Sequence, residues 1–238
     1  SSSLVGSEMC IRDSLLEIGP GKGAMTSLLL EKCESLTAIE IDKDLIRFLK
    51  KAYGDRKNFN LIEKDILLYD PKELVRVNKL IGNIPYNIST PIIEWIIDNK
   101  SSFDEIFLML QKEFGERCVA QPNTKSYGRL SIFVQCFFDV TVIREVDKSS
   151  FDPSPKVQSI FLKLIPKVSD MTPNSILMKN LSTLTREAFS KRRKLITNSL
   201  KSFFTEEDLV NLGIERKSRP ENLSVETYIK LAKSIQSG

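Results

Sequence analysis

The sequence has no histidine in 238 residues. That absence removes Ser-His and Cys-His nucleophilic machinery and most transition-metal sites. Any chemistry must run on carboxylates, amides, aromatic faces, backbone groups or a bound cofactor. Cysteine is sparse as well. Cys10, Cys33, Cys118 and Cys136 are widely scattered with no C-x-x-C pair, so neither a disulfide framework nor a zinc site is expected, and a reducing cytoplasm fits. No apolar run reaches the roughly 18 residues that a membrane-spanning helix needs. The Ser-rich start lacks a basic segment followed by an apolar one, so no secretory signal is expected. What is present is ordinary for a chain that buries a core: 41% hydrophobic and 28% charged residues, with a net charge of +4 whose placement matters more than its size.

Along the chain, short apolar strands alternate with helical segments. Leu15–Ile18 reads as a buried strand running into Gly19-Pro20-Gly21-Lys22-Gly23, and Ala24 to Lys32 has helical spacing. A second strand, Leu36 to Ile41, ends in acid, with Asp42 placed to cap a helix from Lys43 to Tyr53. Further strands are expected at 60–62, 79–83, 103–110, 141–146 and 159–164, with helices from Thr90, over 112–120 and over 130–138. The alternation predicts a doubly wound, mainly parallel α/β sheet. After Leu164 the chain becomes polar and proline-punctuated, and from Ser175 onward it is helical with Arg/Lys-rich turns. The expected division is therefore an unmatched tail at 1–14, disordered or artefactual, an α/β domain at 15–168 and a small all-helical domain at 172–238.

Five segments can carry chemistry. In the turn Gly19 to Gly23, glycine lets the backbone approach a ligand and the next helix offers free N–H donors. Tight strand-to-helix turns also use glycine for steric reasons alone. Glu40, about 20 residues on at the end of the next strand, can accept from ribose hydroxyls. Pro20, with Glu17 before the turn, departs from the dinucleotide fingerprint and fits an adenosylmethionine turn better. Asp65 can accept from an adenine amine or merely face solvent. Asn83-Ile84-Pro85-Tyr86 is the sharpest signal. The Asn carboxamide oxygen and the Ile84 carbonyl can both accept from an exocyclic amine, favouring a tetrahedral nitrogen whose lone pair is free to attack. Pro85 removes a competing N–H, and Tyr86 can stack on a base drawn out of its helix. A proline turn with a buried tyrosine is the structural alternative. Phe151-Asp152-Pro153-Ser154-Pro155-Lys156-Val157 is a rigid loop whose Phe151 can close over the base and whose Lys156 can meet phosphate, or a purely structural proline loop. Lys191-Arg192-Arg193-Lys194 is a basic cluster suited to a phosphate backbone or to a solvated helix face. Near it, Phe189, Leu195, Ile196 and Leu200 recur at helical spacing and are expected in the core.

Together these segments resemble the ribosomal RNA adenine dimethyltransferases, from about Leu15 to Leu231. The resemblance rests on the order of Glu17-Ile18-Gly19-Pro20-Gly21, Glu40-Ile41-Asp42, Asn83-Ile84-Pro85-Tyr86-Asn87-Ile88-Ser89-Thr90, Met109-Leu110-Gln111-Lys112-Glu113, Tyr127-Gly128-Arg129-Leu130-Ser131 and Phe151 to Val157. It implies a Rossmann-like class I methyltransferase sheet with a C-terminal helical domain, and S-adenosyl-L-methionine as cofactor. Glu17, Gly19, Gly21, Glu40, Ile41, Asp65, Ile66 and Asn83 would line the cofactor site. Asn83, Ile84, Pro85, Tyr86 and Phe151 would act on the base, and Lys156, Lys191, Arg192, Arg193 and Lys194 would meet RNA. Ala188 to Leu195 and Arg219 to Ser224 resemble the housekeeping branch, which dimethylates two adjacent adenines in a 3′-terminal hairpin loop of small-subunit rRNA. The alternatives are the macrolide-resistance branch, which acts on large-subunit rRNA, a non-catalytic RNA-binding assembly or transcription factor on the same scaffold, and a nicotinamide-dependent oxidoreductase. The housekeeping branch implies a cytoplasmic, membrane-free and metal-free monomer that acts on rRNA in an immature subunit. Family members carry a Gly-Gln-x-Phe-Leu-like stretch over the cofactor; residues 1–14 do not match it, which implies a truncated or replaced N-terminus.

Overall fold

A computed structural model describes residues 13–74, 77–147, 157–168, 172, 175–190 and 193–235. Seven strands form one sheet: β1 (Ser14–Ile18), β2 (Ser35–Glu40), β3 (Phe59–Glu63), β4 (Lys79–Asn83), β5 (Glu105–Gln111), β6 (Phe138–Val146) and β7 (Ser159–Pro166). Their order is β3-β2-β1-β4-β5-β7-β6. The pairings β1–β2, β1–β4, β2–β3 and β4–β5 are parallel, whereas β5–β7 is antiparallel. The mainly parallel sheet is thus mixed at one side. Strand order reverses between β1 and β4, the position where open α/β sheets form a crevice beyond the strands' carboxyl ends.

Local chemistry explains the elements near that crevice. β1 is Ser-Leu-Leu-Glu-Ile with its last four residues buried, the continuous burial of an interior parallel strand. Asp42 caps α2 (Lys43–Tyr53), its carboxylate accepting from the Asp44 and Leu45 N–H groups at 2.8 and 3.2 Å. The helix expected over Ala24 to Lys32 is regular only in α1 (Thr26–Leu29). Around it, bonds of the i+3 kind (Leu28 N–H to Met25, Lys32 N–H to Leu29) mix with i+4 bonds (Leu30 N–H to Thr26), so the segment coils without becoming one helix. On one face of the sheet Leu15, Leu36, Ile81, Phe107 and Phe161 pack with Leu29 and Leu30, and Met25 and Met109 lie against them.

The chain also contains α3 (Ser89–Asp98), α4 (Lys112–Val119), α5 (Arg129–Phe137), α6 (Ile176–Ser190), α7 (Ile196–Ser199), α8 (Glu206–Asn211) and α9 (Val225–Ser234). Among the described residues no helix is long and apolar enough to cross a membrane. Two compact units result, differing from the linear division at 168 and 172. The described residues up to Gly115 join Thr141–Pro166, and Glu116–Val140 join those from Lys167 onward. The reason is packing: α5 contacts α6 and α9, and Tyr127, just before α5, is fully buried with its hydroxyl donating to the Leu223 carbonyl at 2.9 Å. Phe189 lies between Tyr127 and Tyr228, with ring centroids 6.4 and 6.0 Å apart. Ile196 and Leu200 are buried, while Leu195 is partly exposed.

The expected tail at 1–14 is shortened by the structure. Ser14 opens β1, and Asp13 is buried, its carboxylate accepting from Lys79 Nζ at 2.9 Å; residues 1–12 lie outside the described residues. Lys79 also reaches Glu105 at 2.8 Å, and Glu105 in turn meets Lys163 at 2.5 Å. Burial opposes the charge of Lys79, but its bonds to Glu105 and Asp13 outweigh that and hold the ammonium above its ordinary range. Lys79→Met leaves Asp13 and one oxygen of Glu105 facing an apolar stem. Denaturant titration should show a loss of roughly 3–5 kcal/mol of unfolding free energy.

Candidate cofactor and base site

The turn after β1 depends on three residues in the left-handed region: Gly19, Gly21 and Gly23, with φ of +59°, +60° and +76°. The Gly19 N–H donates to the Ile39 carbonyl at 3.0 Å, carrying the chain across the end of β2. A Cβ at Gly19 or Gly21 would meet no atom within 4 Å, so the backbone there faces open space that a ligand can fill. Gly23 is different, since a Cβ would sit 2.6 Å from the Tyr53 ring, whose hydroxyl donates to the Gly23 carbonyl at 3.1 Å. Sequence reasoning missed Tyr53, because a tyrosine at the end of a helix thirty residues away carries no local signal.

Two carboxylates serve this turn in different ways. Glu40, at the end of β2, accepts from the Ile41 and Asp42 N–H groups at 2.9 and 3.0 Å and, weakly, from the Gly21 N–H at 3.4 Å. A carboxylate has about four acceptor positions, so with three N–H groups already on it Glu40 keeps about one for a ribose hydroxyl. Glu17 is fully buried and accepts from the Thr26 hydroxyl at 2.7 Å, while its Oε1 has no partner among the described residues. It therefore ties the end of β1 to α1. Burial pushes its carboxyl up from 4.5 to about 7, against the Thr26 bond and with a contribution from the charge of Glu40.

Asp65 follows β3, which pairs with β2 so that Glu63 lies beside Glu40. One Asp65 oxygen accepts from the Leu67 N–H at 2.9 Å, capping a short turn at Ile66–Leu68. Ile41 is 66% exposed at the strand end, whereas Ile66 is buried. The structure thus brings Glu40, Ile41 and Asp65 to the carboxyl ends of two adjacent strands, beside the glycine turn.

Asn83 ends β4 and is exposed; Ile84 is buried and its N–H donates to the Met109 carbonyl of β5 at 3.0 Å. Pro85 is extended, with φ −58° and ψ 141°, and its carbonyl accepts from the Ile88 N–H and the Ser89 hydroxyl. No described residue bonds the Asn83 carboxamide. Tyr86 is 42% exposed, so the alternative of a buried structural tyrosine does not hold. Gly82 makes the strand junction possible: a Cβ there would lie 2.8 Å from Ile84 Cδ1 and 3.2 Å from Ile18 Cβ. Phe151, Lys156, Lys191 and Arg192 lie outside the described residues. Arg193 and Lys194 are exposed, lining an open hollow of the second unit with Leu195, Asn198, Lys201 and Arg219. Arg216 pairs with Glu206 at 3.1 Å.

The sequence profile described as ribosomal RNA adenine dimethylase matches residues 6–237. A ribosomal RNA small subunit methyltransferase A of Legionella pneumophila (strain Corby) is 41% identical over 226 residues, covering 94% of this chain and 88% of that protein. The protein of the same name from Coxiella burnetii (strain RSA 493 / Nine Mile phase I) is 39% identical over 223 residues, covering 92% and 86%. Among solved structures, a dimethyladenosine transferase from Plasmodium falciparum superposes with a TM-score of 0.80 at 31% identity, covering 97% of this chain and 92% of that one. The 23S rRNA methyltransferase ErmE, 22% identical with a TM-score of 0.74 and coverage of 98% and 96%, shares the fold.

The buried Glu17 makes stability depend on pH. Its folded-state carboxyl titrates near 7 against 4.5 when free, so the folded state binds the proton more tightly. Its contribution is fully present below pH 4.5 and is lost as pH rises through 7, a change on the order of 3 kcal/mol. Glu17→Gln keeps an acceptor for Thr26 and removes the titration. Thermal melts should show the variant gaining on the parent chain between pH 5 and 8; parallel curves would contradict the assignment.

Proposed function

The chain belongs to the ribosomal RNA adenine dimethylase family, and from that premise we propose that it methylates small-subunit rRNA. It transfers methyl groups from S-adenosyl-L-methionine to the exocyclic amines of two adjacent adenines in a 3′-terminal hairpin loop. The observation that carries this reading is Asn83, exposed at the end of β4 beside the open glycine turn, with Ile84 pinned to β5 directly after it.

The residues present fit an adenosyl ligand. Gly19 and Gly21 leave open space beside the backbone, Glu40 retains an acceptor position for a ribose hydroxyl, and Asp65 can accept from the adenine amine through the oxygen not used by Leu67. Bound S-adenosyl-L-methionine supplies a methyl group made electrophilic by its sulfonium. The chain's own residues prepare the nucleophile. The Asn83 oxygen and the Ile84 carbonyl accept from the amine hydrogens, drawing the nitrogen lone pair out of the ring. That lone pair would face the methyl group the cofactor supplies, and the proton released when the amine takes that methyl in exchange for the sulfonium would leave to water. Tyr86 offers its exposed ring to the extruded base, and Phe151 would cover the other face. No strong base is required, which suits a chain without histidine. A second transfer uses the same acceptors with the one hydrogen that remains. Arg193 and Lys194, with Lys156, Lys191 and Arg192, would hold the RNA backbone. The setting we propose is a monomer acting in the cytoplasm on an immature small subunit.

The test is mass-spectrometric mapping of rRNA after incubating the chain with S-adenosyl-L-methionine and undermethylated small subunits. Two adjacent dimethyladenines near the 3′ end are expected; methylation confined to large-subunit rRNA, or none, would refute the reading. Asn83→Ala should lower methylation of the same subunits by at least about 100-fold.

A further inference from the structure

The side of the base site next to Asn83 is formed by β5, whose last residue is Gln111. Strand alternation puts Phe107, Met109 and Gln111 on one face. Phe107 and Met109 identify that face, since both pack with Leu15 and Ile81. The register sets Met109 beside Asn83, which shares its face with Ile81. Gln111 therefore lies on the face of Asn83, one pleat further toward the carboxyl edge of the sheet. With strands about 4.8 Å apart and about 6.6 Å between alternate residues, the two backbones are roughly 8 Å apart at these positions, so both carboxamides can reach one base. The bond from the Ile84 N–H to the Met109 carbonyl at 3.0 Å couples β5 to the peptide that holds the amine.

The surroundings of Gln111 separate it from a structural glutamine. Gln135 shows what such a residue looks like in this chain, its amide donating to the Cys118 and Ala120 carbonyls at 2.9 and 2.8 Å. Gln111 is partly exposed, and no described residue bonds its carboxamide. Its neighbour on β7 is the buried Ser159.

An adenine edge presents an amine donor beside a ring-nitrogen acceptor, a pattern that Asn and Gln side chains read well. In the reading above the Asn83 oxygen and the Ile84 carbonyl serve the amine, and a second carboxamide beside them can serve the ring nitrogen. We propose that Gln111 is a specificity-determining residue whose carboxamide NH₂ donates to the ring nitrogen flanking the amine of the target adenine. The inference rests on the reading above, in which Asn83 holds that amine.

The test uses small subunits reconstituted with rRNA carrying adenosine, 1-deazaadenosine or 7-deazaadenosine at the target position, with kcat/KM measured for the unaltered chain, Gln111→Ala and Gln111→Glu. On adenosine both variants should lose about 10–100-fold, since glutamate keeps the length but has no donor, while cofactor affinity and thermal midpoint stay unchanged. On the analogue that lacks the acceptor, the unaltered chain should fall to the level of the variants, and the substitutions should cost nothing further. Unchanged rates for the variants on adenosine, or the same ratio on all three substrates, would overturn the role of Gln111. Failure of the unaltered chain on adenosine would instead reject the proposed function.

Discussion

Parallel pairing of β1 with both β2 and β4 is the constraint on which the site depends. In that register Ile18 lies beside Ile39 on one side and Gly82 on the other, so three strands end at the same level. The glycine turn, Glu40 and Asn83 are thereby delivered to one crevice from segments far apart in the chain. The junction is close-packed at Gly82, where a Cβ would press on Ile18 and Ile84. It also needs the left-handed turn, which carries the backbone from β1 across the end of β2 without closing the space beside Gly19 and Gly21. Unlike a glycine chosen only for tightness, these two leave that space empty.

A site without imidazole must organise its polarity through carboxylates and amides, and the two acids near the turn divide that work. Glu40 gathers backbone N–H donors at the strand end. Glu17, one strand over, is enclosed and bonded to Thr26, and burial biases it toward the neutral acid. Biasing one of two neighbouring carboxyls toward the neutral acid limits their repulsion. At the opposite end of the strands, Lys79 ties Asp13 to Glu105, so the sheet is secured by charge at the end remote from the crevice.

The second unit is organised around aromatic residues. Tyr127, Phe189 and Tyr228 come from three separate segments, and the two tyrosine hydroxyls donate to the Leu223 and Pro220 carbonyls at 2.9 Å each. These contacts draw Glu116–Val140 away from the α/β unit, to which its place in the sequence assigns it, and into the helical one. A division by composition missed this because a buried tyrosine is recognisable only by what it meets.

Strand positions, the capping role of Asp42 and the order of the functional segments were legible in the sequence alone, since hydrophobic alternation, cap chemistry and glycine turns act over a few residues. The same local logic made Asn83-Ile84-Pro85-Tyr86 stand out, and family membership bears out the dimethyladenosine reading. The limits of α1, the antiparallel β5–β7 pair, the burial of Glu17 under Thr26 and the closure of Tyr53 on Gly23 were decided only in three dimensions. So was the placing of Gln111 on the face of Asn83. The β5–β7 pair and the place of Gln111 depend on sheet register, which brings together strand residues distant in the chain, whereas Glu17 and Tyr53 owe their partners to packing between a strand or turn and a helix.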